Sequence, residues 1–175
     1  MFKYILLSLA MMTTAVLGQS FDKRFSEVAV GTTFHYERNN GRDYSLTYLG
    51  KSGKYHRVRK ESVKENFIRT YVYNAQGRLH SIKYDNSYTV RFSTKCGDAI
   101  GECIYTYKGH PKYNGKWKKR YWYDGGNLLT SDTRINEDYN HVYKVEFTTG
   151  NFLKYEERVS GGTPRWTKLV RVTNK

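Results

Sequence analysis

The chain has 175 residues, with 30 Lys and Arg against 16 Asp and Glu, a formal net charge of +14 at pH 7. Its aromatic content of 16 %, including 17 tyrosines, is too high for a disordered chain, and two prolines without a glycine period exclude a collagen-like one. The excess of cations favours anionic partners and says nothing about the fold itself.

The N-terminus, Met1–Ser20, has a positive start at Lys3 and an apolar run from Ile5 to Val16. Val16 and Gly18 are small residues at three and one before a cut, the layout of a secretory signal peptide over 1–18. The run is too short for an anchor, since spanning takes about 20 apolar residues. No later stretch is apolar enough to span, so no transmembrane segment is expected after cleavage. The expected location is periplasmic or secreted. Residues 19–175 then form a single β-rich domain whose balance is 29 basic against 16 acidic, or +13, because Lys3 is the only charge removed.

From Thr32 the pattern is strand, turn, strand. Phe34 and Tyr36 share a face within 32–38, and Tyr44, Leu46 and Tyr48 share one within 43–49. Asn39-Asn40-Gly41-Arg42 and Gly50-Lys51-Ser52-Gly53 are turn clusters. Tyr55–Lys60 is polar and expected at an edge or on an open face. Asn66–Tyr73 is apolar on both faces, as in a central strand, and Leu79–Tyr84 follows a turn.

Ser87–Ser93 and Ile104–Lys108 read as a hairpin around which the chain is organised. Between them Gly97, Asp98 and Gly101 suit a turn, and Cys96 and Cys103, the two cysteines of the chain, stand at the loop ends. In an exported protein these would form a disulfide, worth roughly 2–3 kcal/mol through loop closure. A zinc site would need more ligands than two thiolates, so no metal is expected.

Lys116–Asp124 puts Trp117, Tyr121 and Tyr123 in phase. Leu128–Arg134, Asn140–Thr148 and Phe152–Val159 follow. Arg165–Val172 ends the chain with Trp166, Lys168, Val170 and Val172 in phase. Eleven to twelve strands at roughly ten-residue spacing predict an all-β antiparallel meander forming a barrel or strongly curved sheet, with a two-sheet β-sandwich as the alternative.

Tyr71–Asn86 (YVYNAQGRLHSIKYDN) is similar to a YD repeat of the Rhs type, and Tyr121–Leu129 (YWYDGGNLL) resembles a poorer copy. Tyr113–Gly126 also resembles MORN-type hairpins. These likenesses imply β-hairpins of Tyr-rich strands and Gly turns, and carry no function.

The candidate interaction stretch is Lys112–Tyr123. Lys112, Lys116, Lys118, Lys119 and Arg120 alternate there with Tyr113, Trp117, Trp122 and other rings. Rings stack on sugars or bases and cations meet phosphate or carboxylate. On a strand Trp117, Lys119, Tyr121 and Tyr123 point one way, and Lys118, Arg120 and Trp122 the other. Lys54, Arg57, Arg59, Lys60 and Lys64 extend the positive surface.

His35, His56, His80 and His141 fall in strands, and His110 in a loop before Pro111. No metal spacing, nucleophile elbow or phosphate loop is present. The expected function is therefore an exported, non-catalytic β-domain without a cofactor, binding an anionic glycan, lipid head group or acidic protein. A β-barrel carrier of a small apolar ligand and an envelope hydrolase around His110 or His35 are the alternatives.

Overall fold

The computed structural model describes residues 25, 27–75, 77, 79–85, 89–91, 101–108, 114–135, 140–148 and 152–174. The strands are β1 (Thr33–Arg38), β2 (Tyr44–Ser52), β3 (Tyr55–Ser62), β4 (Phe67–Tyr73), β5 (Leu79–Tyr84) and β6 (Thr89–Arg91) in the first half. The second half holds β7 (Gly101–Tyr107), β8 (Gly115–Asp124), β9 (Asn127–Arg134), β10 (Asn140–Phe147), β11 (Leu153–Arg158) and β12 (Trp166–Thr173). The fold is the expected all-β antiparallel meander.

The strand order is β6-β5-β4-β3-β2-β1-β12-β11-β10-β9-β8-β7 in one sheet of 12 strands. The first and last strands therefore lie side by side at its middle, with Phe34 opposite Val172 and Arg38 opposite Thr167. The two ends of this order, β6 and β7, meet through a single antiparallel bridge, Arg91↔Lys108. The sheet thus curls until its edges touch, but among the described residues no continuous ladder closes it. That bridge joins the two strands of the expected hairpin, whose loop, residues 92–100, lies outside the described residues. Cys96 lies outside the described residues, and so does its pairing with Cys103. The central pairing is β1 with β12, made by residues from opposite ends of the domain.

Curling needs twist and local breaks in register. The pairing shifts between His35 and Tyr36, between Tyr48 and Gly50, between Val72 and Tyr73, and between Glu146 and Phe147. The first of these skips Val170 on β12, so Leu169 and Val172 both oppose the inward residues of β1. The simple alternation expected for Trp166, Lys168, Val170 and Val172 is broken there: Lys168 turns out to pair with Glu37 at 3.2 Å, and Val170 is exposed. The polar strand β3 is not an edge. It is paired on both sides, to β2 and β4, and its exposed Arg57 and Arg59 make an open face.

The inward face divides along its length. At one end Phe25 is 7 % exposed and stacks on His56 at 4.4 Å between centroids and on Tyr48 at 5.1 Å. Tyr73 and Phe152 complete the cluster around it, and Phe34 stacks on Phe152 at 4.1 Å. Such ring pairs contribute beyond the area they bury, about 0.5–1.5 kcal/mol each. His56 sits in this apolar plug because its Nδ1 shares a 2.8 Å hydrogen bond with the Tyr48 hydroxyl. Burial lowers its pKa, and Lys51 adds to the shift, which favours the neutral ring. The other end of the inward face carries the charges described next. Among the described residues no helix is long and apolar enough to cross a membrane.

Candidate anion-binding surface

Strand β8 carries most of the residues singled out in the sequence, and its pleat sorts them. Trp117 is buried, with the Arg134 guanidinium 5.9 Å from its ring centroid. Lys119 points the same way and binds Asp132 on β9 at 2.9 Å. That ion pair engages Lys119, which is therefore a structural cation and not part of the outer row. On the opposite face stand Lys116, Lys118, Arg120 and Trp122. Lys116 and Arg120 are exposed, Lys118 and Trp122 half-buried. The Arg120 guanidinium lies 5.0 Å from the Trp122 ring centroid, a cation–π contact that holds both side chains on the surface. By register Ile104 and Thr133 flank Lys118, while Glu102 and Ser131 flank Arg120. Lys112 and Tyr113 lie outside the described residues, as does His110.

The smaller basic group is also divided. Arg57 and Arg59 are outward, and Arg59 pairs with Glu61 at 3.1 Å. Lys60, read in the sequence as surface, points inward. Its ammonium lies 3.7 Å from the Tyr44 ring centroid. Burial pulls its pKa down to about 8, Arg38 and Arg69 push the same way, and Glu156 and Glu65 oppose them. Arg69, opposite Lys60 in the ladder, is held between Phe67 and Tyr84 at 4.2 and 4.6 Å from their centroids. Glu156 stands on β11, next but one to Arg38 through Thr167, which pairs with both. Burial pushes the Glu156 carboxyl above the usual carboxylate range; Lys119 pulls it back, Asp132 adds to the rise, and Arg38 and Lys60 pull it back further. Burial likewise raises Tyr71 to about 12 and Tyr44 above its ordinary value. Arg38, Lys60, Arg69, Lys119, Asp132 and Glu156 thus form an inward cluster with more cations than acids. Lys60 and Lys119 read in the sequence as surface cations, because a charge at an alternate position of a polar strand reads as solvent-facing.

A cleft of about 770 Å³ is on another part of the surface, near the β3–β4 turn. Glu37, Asp43 and Glu61 line it with Val63, Ile68 and Val170. Three carboxylates make it unsuited to an anion. Among the described residues no three of His, Cys, Asp and Glu converge as metal ligands would. His35 shares a 3.1 Å hydrogen bond with the Thr173 hydroxyl in an exposed position. Burial lowers its pKa, and Arg171 adds to this.

Comparison with known protein families, with curated proteins and with solved structures finds no match to this chain.

Proposed function

We propose that the chain is an exported, non-catalytic β-domain that holds an anionic glycan or envelope component against the outer face of β8. The carrying observation is the row Lys116, Lys118, Arg120 and Trp122 on one pleat face, with Arg120 against the Trp122 ring at 5.0 Å. Alternate residues of a strand are roughly 7 Å apart, so the row offers cations at regular intervals along an extended polyanion. The indole adds an apolar face on which a sugar ring can stack. The net charge of +13 that remains once Lys3 is removed adds long-range attraction, which speeds encounter and weakens with salt.

Export rests on the layout of Met1–Ser20 and places the domain where such polyanions occur. A carrier of an apolar ligand has less support, because Phe25 occupies the apolar end of the inward face and charges occupy the other. A hydrolase centred on His35 has less support too: the ring lines the cleft of about 770 Å³, but its hydrogen-bond partner is the Thr173 hydroxyl and not a carboxylate.

The test is retention on an immobilised sulfated glycan such as heparin. Lys116→Gln, Lys118→Gln and Arg120→Gln together should move elution to clearly lower salt. Lys54→Gln, Lys83→Gln and Lys154→Gln together, which remove three exposed charges elsewhere, should move it little. Equal shifts from both sets would mean that net charge alone is read, and would refute a site on β8.

A further inference from the structure

We infer that the chain has a second binding site, for a single oxoanion on a small hydroxylated molecule, in the cleft between the β1–β2 turn and the β11–β12 loop. This site does not depend on the β8 row. The cleft has a volume of about 460 Å³, within the range of small-ligand sites. Arg38, Arg42 and Arg165 line it together with Asn39, Asn40 and Thr163, and no carboxylate does. Guanidinium forks match carboxylate, sulfate and phosphate oxygens two at a time, a geometry an ammonium lacks.

The cleft is built from both walls. Asn39 Nδ2 donates to the Pro164 carbonyl at 3.0 Å, and Asn39 Oδ1 accepts from the Trp166 amide at 3.2 Å. The Asn39 amide in turn donates to the Trp166 carbonyl at 3.3 Å. Within the turn, Asn40 Oδ1 accepts from the Arg42 amide and Asp43 Oδ1 from the Arg38 amide, at 3.1 and 2.9 Å. A turn and a loop more than 120 positions apart are thus clasped before any ligand arrives, which lowers the ordering cost of binding.

The arginines are only partly neutralised: Glu156 shares the cavity beside Arg38 and Arg165 without lining the cleft. Arg42 faces Glu65 at 3.6 Å, a solvent-exposed pair of small worth. Among the described residues Arg38 and Arg165 have no carboxylate within ion-pair distance. The charge of Arg165 is felt nearby: burial lowers the pKa of His141, and Arg158 and Arg165 lower it further. Beneath the cleft is a smaller polar cavity of about 40 Å³ between Arg38, Tyr143, Glu156 and Arg165. It has room for one water, which would link a bound oxoanion to the inward charge cluster.

The volume and the polar lining suit one sugar acid, sugar phosphate or sugar sulfate. The test is calorimetric titration of the folded full chain with glucuronate, glucose 6-phosphate and inorganic sulfate. One-to-one saturation by at least one of them is expected, and their ranking identifies the preferred oxoanion. Arg165→Gln should weaken it at least tenfold, Arg165→Lys should recover only part of that, and Lys118→Gln with Arg120→Gln should leave it within twofold. Circular dichroism and the melting temperature of Arg165→Gln, an exposed position, report whether the fold is kept. If the fold is lost, Arg42→Gln takes its place with the same expected tenfold loss. No saturation by any of the three probes, or a loss no greater in the cleft variants than in the β8 variants, would overturn the site.

Discussion

The Lys60 ammonium sits 3.7 Å from the centroid of the Tyr44 ring, on the inward face of a sheet whose outer face carries Arg57, Arg59, Lys116 and Arg120 exposed. A desolvated cation on a ring recovers about 2 kcal/mol, less than burial of the ammonium costs. The lysine pKa of about 8 expresses that imbalance.

The sign of the resulting pH dependence is fixed by proton counting. The folded-state value lies below the ordinary 10.5, so between about pH 8 and 10.5 the unfolded chain holds a proton that the folded chain has shed. Stability therefore rises with pH across that window, by at most about 1.4 kcal/mol per pH unit. Tyr44 and Tyr71 act oppositely from about pH 10 upward, because burial makes them keep protons that the unfolded chain loses. Urea melts at pH 7, 8, 9 and 10 should show the rise. Lys60→Met should flatten it and be at least as stable as the parent at pH 7. An unchanged rise in Lys60→Met would assign the effect to other groups.

Phe25 precedes the first strand, yet it closes the aromatic end of the inward face by stacking on His56 and Tyr48. Phe25→Ala removes a buried ring and leaves a cavity, so a loss of about 3–5 kcal/mol is expected in urea denaturation. A loss below about 1 kcal/mol would mean that the segment before β1 is not part of the core.

The leader and the cysteine pair share one measurement. Intact mass spectrometry of the secreted chain without reductant should give a species that starts at Gln19 and is lighter than its reduced form by two hydrogens. A species retaining Met1, or one in which both thiols react with an alkylating agent before reduction, would contradict export with a Cys96–Cys103 bond.

Much of the fold was legible because tyrosines and valines alternate with polar residues between glycine turns. Leu79–Tyr84 was read to the residue, and the other strands to within a few positions. Pairing partners were not legible. Nothing local in Thr33–Arg38 says that it lies beside Trp166–Thr173, since that contact closes a loop of nearly the whole domain. Bulges hid the facing of β12, because one skipped residue at Val170 reverses the parity of the strand beyond it. Charge hid Lys60 in the same way: Arg57, Arg59 and Lys60 look alike in a row, and only the ladder to β4 shows which one turns inward. The split of β8 into Trp117, Lys119 and Tyr121 on one side and Lys118, Arg120 and Trp122 on the other was legible, because one period of two decides it. The Arg38, Arg42 and Arg165 cleft was not, since its walls come from opposite ends of the chain.

The measurement closest to the central claim is a nuclear magnetic resonance titration of the full chain with a short heparin oligosaccharide. The account predicts saturating shifts at the Trp122 indole and at the amides of Lys118 and Arg120, with the buried Trp117 indole little changed. Shifts scattered over the cationic surface in proportion to local charge, with the Trp122 indole unmoved, would contradict it.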